Sequence, residues 1–202
     1  MKNRNKYVNL ATGLAFWALN SQSLFFSLLS IYGLFMIRDF TVKENDGKLK
    51  LFTDTLIGFA TLRGILGITI IYIQSSFLPF LNIFVNVVLF ILSLIVLKAS
   101  LKYLLTKLKD YELVNVMKKV TNGYYIVIAM DGILILLLLL VVFTLFFPIT
   151  FLINFISIFL NPTYNAFFGL GLTLVKYFAS RSFSRAAMLL ANAVQLENRM
   201  DI

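Results

Sequence analysis

Residues 132–175, GILILLLLLVVFTLFFPITFLINFISIFLNPTYNAFFGLGLTLV, run for 44 positions without one charged side chain. A helix rises 1.5 Å per residue and the hydrocarbon core of a bilayer is about 30 Å thick, so about 20 apolar residues make one crossing. The run is too long for a single helix. Phe147-Pro148 divides it, because proline sits well in the first turn of a new helix. This predicts spans at about 124–146 and 149–176, the second kinked at Asn161-Pro162, where Pro162 removes a backbone donor and crowds the preceding turn.

Two further charge-free runs, 64–97 and 7–37, read the same way. Gln74-Ser75-Ser76 and Pro79 split the first into spans at about 55–74 and 78–97. The second predicts one span at about 12–36, interrupted by Asn20-Ser21-Gln22-Ser23, with Trp17 as an interfacial residue. An alternative is an interfacial helix over 2–19 followed by a short span from Ser21. The apolar run after Lys2, Arg4 and Lys6 continues to Ile37 without an A-x-A-like site, as in a signal anchor. Composition agrees: of 202 residues 60% are hydrophobic and 13% charged, and mean hydropathy is +0.90. An ordinary soluble domain is about 45–50% apolar and about 25% charged. The fold class is therefore all-α, a polytopic integral membrane helical bundle in a single membrane domain. About five transmembrane helices are expected, with four to six compatible.

The net charge of +9 is distributed as a topology signal. Segments 38–54, 98–120 and 176–202 carry the lysines and arginines between and after the spans, while the turns near 75 and 147 carry none. The positive-inside rule places those three segments in the cytoplasm, most simply across a bacterial plasma membrane, with an organelle inner membrane as the alternative. Five spans would put Lys2, Arg4 and Lys6 on the opposite side, against the same rule. Segment 98–120 predicts an amphipathic helix on the inner leaflet, with Lys98, Lys102, Lys107, Lys109, Lys118 and Lys119 facing anionic lipid head groups. Residues 181–200 predict a separate C-terminal helix, apolar around most of its circumference, suited to a protein partner or to self-association. Nucleic acid is not an expected partner, since topology explains the basic excess and no recognition module is present.

The absence of Cys and His excludes disulfides, thiolate nucleophiles, Cys-ligated zinc, Ser-His-Asp triads and imidazole proton relays. No Walker A, GxGxxG or EF-hand loop occurs, so no enzyme, cofactor or metal is expected. The segment Lys43-Glu44-Asn45-Asp46-Gly47-Lys48 reads as a solvated turn with too few acids for a calcium cage. Two ionisable residues lie well inside the expected spans, Arg63 and Asp131, at matching depth. They are the candidate intramembrane pair: an ion, proton or substrate site in one reading, an assembly clamp in the other. Asn82/Asn86 and Asn161/Asn165 are four residues apart and form candidate polar helix faces. Ala60, Gly64 and Gly67, like Ala11/Ala15, permit close helix approach.

Arg63-Gly64-Ile65-Leu66 and Asp131-Gly132-Ile133-Leu134 are 68 positions apart and suggest two tandem hairpins. The expected function is a non-enzymatic subunit or accessory of a larger membrane assembly. The alternative is a small oligomeric permease or channel built on Asp131, Arg63 and the asparagine faces.

Overall fold

A computed structural model describes residues 6–19, 24–73, 77–147, 157 and 162–200. Among these the chain is all-helical: α1 Lys6–Ala18, α2 Leu24–Lys43, α3 Gly47–Tyr72, α4 Phe77–Asp110, α5 Val114–Phe146 and α6 Pro162–Met200. Each helix packs on the next in sequence, and α6 closes the ring on α1, which also touches α4. Three described helices contain stretches long and apolar enough to cross a membrane: Gly47–Ile70, Phe80–Asp110 and Val114–Thr144.

The count is three where the sequence pattern predicted five, for two reasons. The first run, 12–36, is two helices rather than one span. The polar interruption at 20–23 separates α1 from α2, and the pair forms an antiparallel hairpin: Lys6 Nζ lies 2.9 Å from Glu44 Oε1, Asn9 Nδ2 donates to Asp39 at 3.4 Å, and Phe16 meets Tyr32. Lys6 thus stands at the same end as Lys43, so no basic residue at the start of α1 is carried to the far end. The span expected at 149–176 falls mostly outside the described residues up to Pro162, which is the first residue of α6, so the expected kink there also falls outside them.

Both described hairpin turns use the same backbone device. Asn45 and Glu112 adopt left-handed φ values of 57° and 56°. Asp46 N then donates to Thr41 O at 3.2 Å, and Leu113 N to Leu108 O at 3.0 Å. These bonds satisfy carbonyls that a helix end leaves open. Asp46 also caps α3, accepting from Leu49 N at 2.9 Å.

Helices α4 and α5 have 34 and 33 residues, about 50 Å each, well beyond the roughly 30 Å of a bilayer core. The surplus explains why segment 98–120 is not a separate amphipathic helix. Residues up to Asp110 continue α4, and Val114 onward begin α5, the two joined by the turn at Glu112. Nor is 181–200 separate. No Gly or Pro follows Lys176 before Arg181, and α6 runs through without a break.

The core lies toward the basic end of the bundle. Leu14, Ile37, Phe40, Leu104, Leu108, Val120, Ala186 and Leu190 are fully buried there, with Tyr7, Phe40 and Tyr103 forming an aromatic chain at ring separations of 5.4 and 5.3 Å. Helix α1 is its centrepiece, with seven of its 13 residues buried, Trp17 among them, which corrects its reading as an interfacial residue. Toward the other end apolar side chains turn outward: Ile65, Phe84, Leu136 and Phe167 are all exposed. In the most apolar stretch of α5 only 6% is buried within the protein. A surface of this kind is stable against lipid and not against water.

Small residues mark the same division. A β-carbon built on Gly33 would lie 2.6 Å from the Gly13 carbonyl oxygen, and one on Gly123 would lie 2.3 Å from Ser182 Oγ. Around Gly58, Gly64 and Gly67 there is open space. The close helix approach expected at Gly64 and Gly67 therefore occurs instead at Gly13–Gly33 and Gly123–Ser182, and Ala60 is buried.

Candidate intramembrane charge site

Arg63 stands 16 residues after Gly47, and Asp131 stands 17 after Val114, so both lie about 24–26 Å along their helices from the basic end. The expected equality of depth holds. The expected direct partner does not: Asp131 Oδ1 accepts a hydrogen bond from Lys176 Nζ on α6. The pair is secluded, with side-chain exposures of 3% for Lys176 and 17% for Asp131. Arg63 Nη2 instead donates to Ser27 Oγ on α2 at 3.2 Å, while the Asp131 carboxylate attracts it through space. The Arg63–Ser27 bond ties α2 to α3, and the Asp131–Lys176 pair ties α5 to α6.

Lys176 was legible only as a lysine ending a span. Treating 176 as a helix end placed it at the membrane surface. Because α6 continues to Met200, Lys176 sits in mid-helix, where its ammonium cannot reach solvent along its own stem and takes the facing carboxylate. The missed signal was the lack of any helix stop between Lys176 and Arg181.

The asparagines contribute differently from the expected inter-helix face. Asn86 Nδ2 donates to Asn82 O at 2.8 Å and to Asn82 Oδ1 at 3.3 Å, bonds within α4 itself. Asn161 and the side chain of Asn165 lie outside the described residues. Of the lysines expected to face lipid, Lys98, Lys102, Lys109, Lys118 and Lys119 are exposed. Lys107 is engaged: it pairs with Asp110 at 3.4 Å and lies over the Tyr7 and Tyr111 rings.

A second polar cluster holds the basic end together, and it uses the segment expected to be a solvated turn. Glu44 accepts from Tyr7 Oη at 2.8 Å and pairs with Lys6, and Asp46 accepts from Tyr103 Oη at 3.0 Å. Arg38 pairs with Asp54, and Lys43 with Asp39. Burial alone would raise the Glu44 pKa, but the hydrogen bonds from Lys6 and Tyr7 outweigh it and hold the carboxyl below its usual value. Burial, then the bond to Glu44, pushes the Tyr7 phenol up.

A depressed carboxyl pKa contributes stability that is present above the unfolded value, about 4.3, and is lost as pH falls through the lower folded value. Hydrogen exchange in α1 is therefore expected to accelerate as pH drops below about 4, after correction for the intrinsic rate. Glu44→Gln should remove most of that dependence; an unchanged acid response in the variant would assign it to other groups.

Among the described residues no cluster of acids could hold a metal ion. Compared with known protein families, curated proteins and solved structures, the chain matches none.

Proposed function

We propose that the chain is a non-enzymatic multi-pass membrane protein that serves as a subunit or accessory of a larger membrane assembly, with its basic end and C-terminus in the cytoplasm of a bacterial cell. The observation that carries this reading is the contrast between the two ends. The basic end is closed by its own ion pairs and by helix crossings at Gly33 and Gly123 too close to admit a β-carbon, whereas Gly58, Gly64 and Gly67 on α3 face open space. In a bilayer, glycine-bearing helix faces pack on other helices, since small residues let backbones approach. The basic end fits the anionic inner leaflet through Lys98, Lys102, Lys118 and Lys119, each contributing about 1 kcal/mol near the surface.

Cross-linking and copurification from native membranes test it. A stoichiometric partner is expected, and Gly64→Leu/Gly67→Leu should release it without lowering the thermal stability of the isolated chain, since leucine favours a helix interior over glycine and meets open space there. A partner retained by the double variant would place the interface elsewhere. Absence of any partner would overturn the subunit reading.

The Asp131–Lys176 pair favours a second reading, a small permease or channel, because ionisable groups within spans mark ion and substrate paths. Flux in proteoliposomes, compared between wild type and Asp131→Asn, distinguishes the two.

A further inference from the structure

We propose that the outer groove between α5 and α6 binds an anionic phospholipid, with its phosphate held by Lys119, Arg181 and Arg185. The two helices are antiparallel neighbours whose register is fixed at two places. A β-carbon on Gly123 would lie 2.3 Å from Ser182 Oγ, and Asp131 accepts a hydrogen bond from Lys176. One turn from the Gly123–Ser182 crossing toward the basic end, α5 carries Lys119 and α6 carries Arg185. Residues three or four apart share a helix face, so both cations flank the same groove, and both are exposed. Asn122 and Arg181 are exposed beside the crossing itself. None of the three cations is engaged in an ion pair among the described residues. Helix α5 has one carboxylate, Asp131, which Lys176 occupies, and α6 has only Glu197, about 18 Å beyond Arg185. Topology calls for basic residues at this end, but not for three of them astride one groove without an acid.

Height and surroundings select a lipid as the occupant. Counting back from Phe146, the apolar end of α5, about 30 Å of helix reaches Ile126, one bilayer core. Tyr125 on α5 and Tyr177 on α6, both exposed, then stand at the head-group boundary, where tyrosine is favoured. Arg181 lies one turn beyond Tyr177, and the long side chains of Lys119 and Arg185 reach back over a further turn. Guanidinium groups match phosphate oxygens in pairs, and lysine adds a point charge. On the bilayer side of the crossing, Ile126 and Phe178 continue the same groove and are exposed. They offer an acyl chain an apolar wall that a soluble ion would leave unused. The inference rests on the placement of the basic end against an anionic leaflet and requires no protein partner. Failure of the lipid test leaves the copurification result untouched, and the reverse holds.

The test uses the full chain purified in an uncharged maltoside detergent. Affinity and melting temperature are measured against phosphatidylglycerol in mixed micelles, against phosphatidylcholine, and against inorganic phosphate at constant ionic strength. Phosphatidylglycerol is expected to bind and to raise the melting temperature, with at least tenfold preference over the other two. Arg181→Gln/Arg185→Gln should weaken its binding at least tenfold. Lys98→Gln/Lys102→Gln, which removes the same charge from the exposed surface of α4, should leave it within twofold. Phe178→Ser keeps every charge and should weaken it several-fold. The inference is overturned if phosphatidylglycerol binds no better than phosphatidylcholine, or if the α4 pair costs as much as the arginine pair, which would make the attraction diffuse. It is overturned equally if inorganic phosphate matches the lipid, or if Phe178→Ser binds as wild type does.

Discussion

Gly33→Ala is expected to destabilise the protein by about 3 kcal/mol, at the upper end of what overpacking a tight contact costs. The added methyl would lie 2.6 Å from the Gly13 carbonyl oxygen, 2.8 Å from Phe16 Cβ and 2.9 Å from the Trp17 nitrogen. None of these is the far end of a flexible side chain, so the whole of α1 must move away from α2. Because α1 also packs on α6 and α4, that displacement reaches both sides of the buried core. Unfolding in mixed micelles, followed by the fluorescence of Trp17, measures the loss. Gly64→Ala is the matched control: its methyl meets no atom within 4 Å, so helix propensity should raise stability by up to about 1 kcal/mol, and a loss there would contradict the open α3 face. A Gly33→Ala protein as stable as wild type would mean that the hairpin does not cross at these glycines.

Lys176→Met is expected to destabilise by about 3–5 kcal/mol, the magnitude seen when one partner of a buried ion pair is removed and the other is left behind. Most of that penalty belongs to the abandoned Asp131 carboxylate, which is only 17% exposed. Adding Asp131→Leu to Lys176→Met should therefore recover most of the stability, since replacing a whole buried pair by apolar groups is often neutral. The equivalent cycle between Arg63 and Asp131 should show a smaller coupling, because their attraction acts through space while Arg63 donates to Ser27. A larger coupling for Arg63 than for Lys176 would reverse the assignment of the pair.

Some of this site could be read from residues alone. Arg63 and Asp131 stand out because lipid excludes charge, and their equal depth follows from counting 1.5 Å per residue. Which cation takes the carboxylate could not be read that way. Depth is a one-dimensional property of each helix, whereas pairing depends on how helices are arranged around the ring. Here α5 neighbours α6, and α3 does not neighbour α5 closely enough to replace it. The Glu44–Asp46 turn misled for a related reason. A short polar segment rich in turn residues looks solvated wherever it occurs, and only the arrival of Lys6 and Tyr7 from α1 and Tyr103 from α4 makes its carboxylates structural.

What the sequence by itself determined is the helical class, the apolar stretches of α3, α4 and α5, the division between α3 and α4, and the gathering of basic residues. Each follows from hydrophobic length or from local backbone chemistry, which act within one segment. What only the tertiary structure decided is that residues 7–37 fold back as a hairpin, that α1 is buried at the centre, and that Lys176 lies inside. Those outcomes depend on contacts between helices distant in the chain, such as α1 with α6 and α5 with α6. There the choice between lipid, water and protein surroundings is made by which helices meet, and hydropathy along the chain is the same for each.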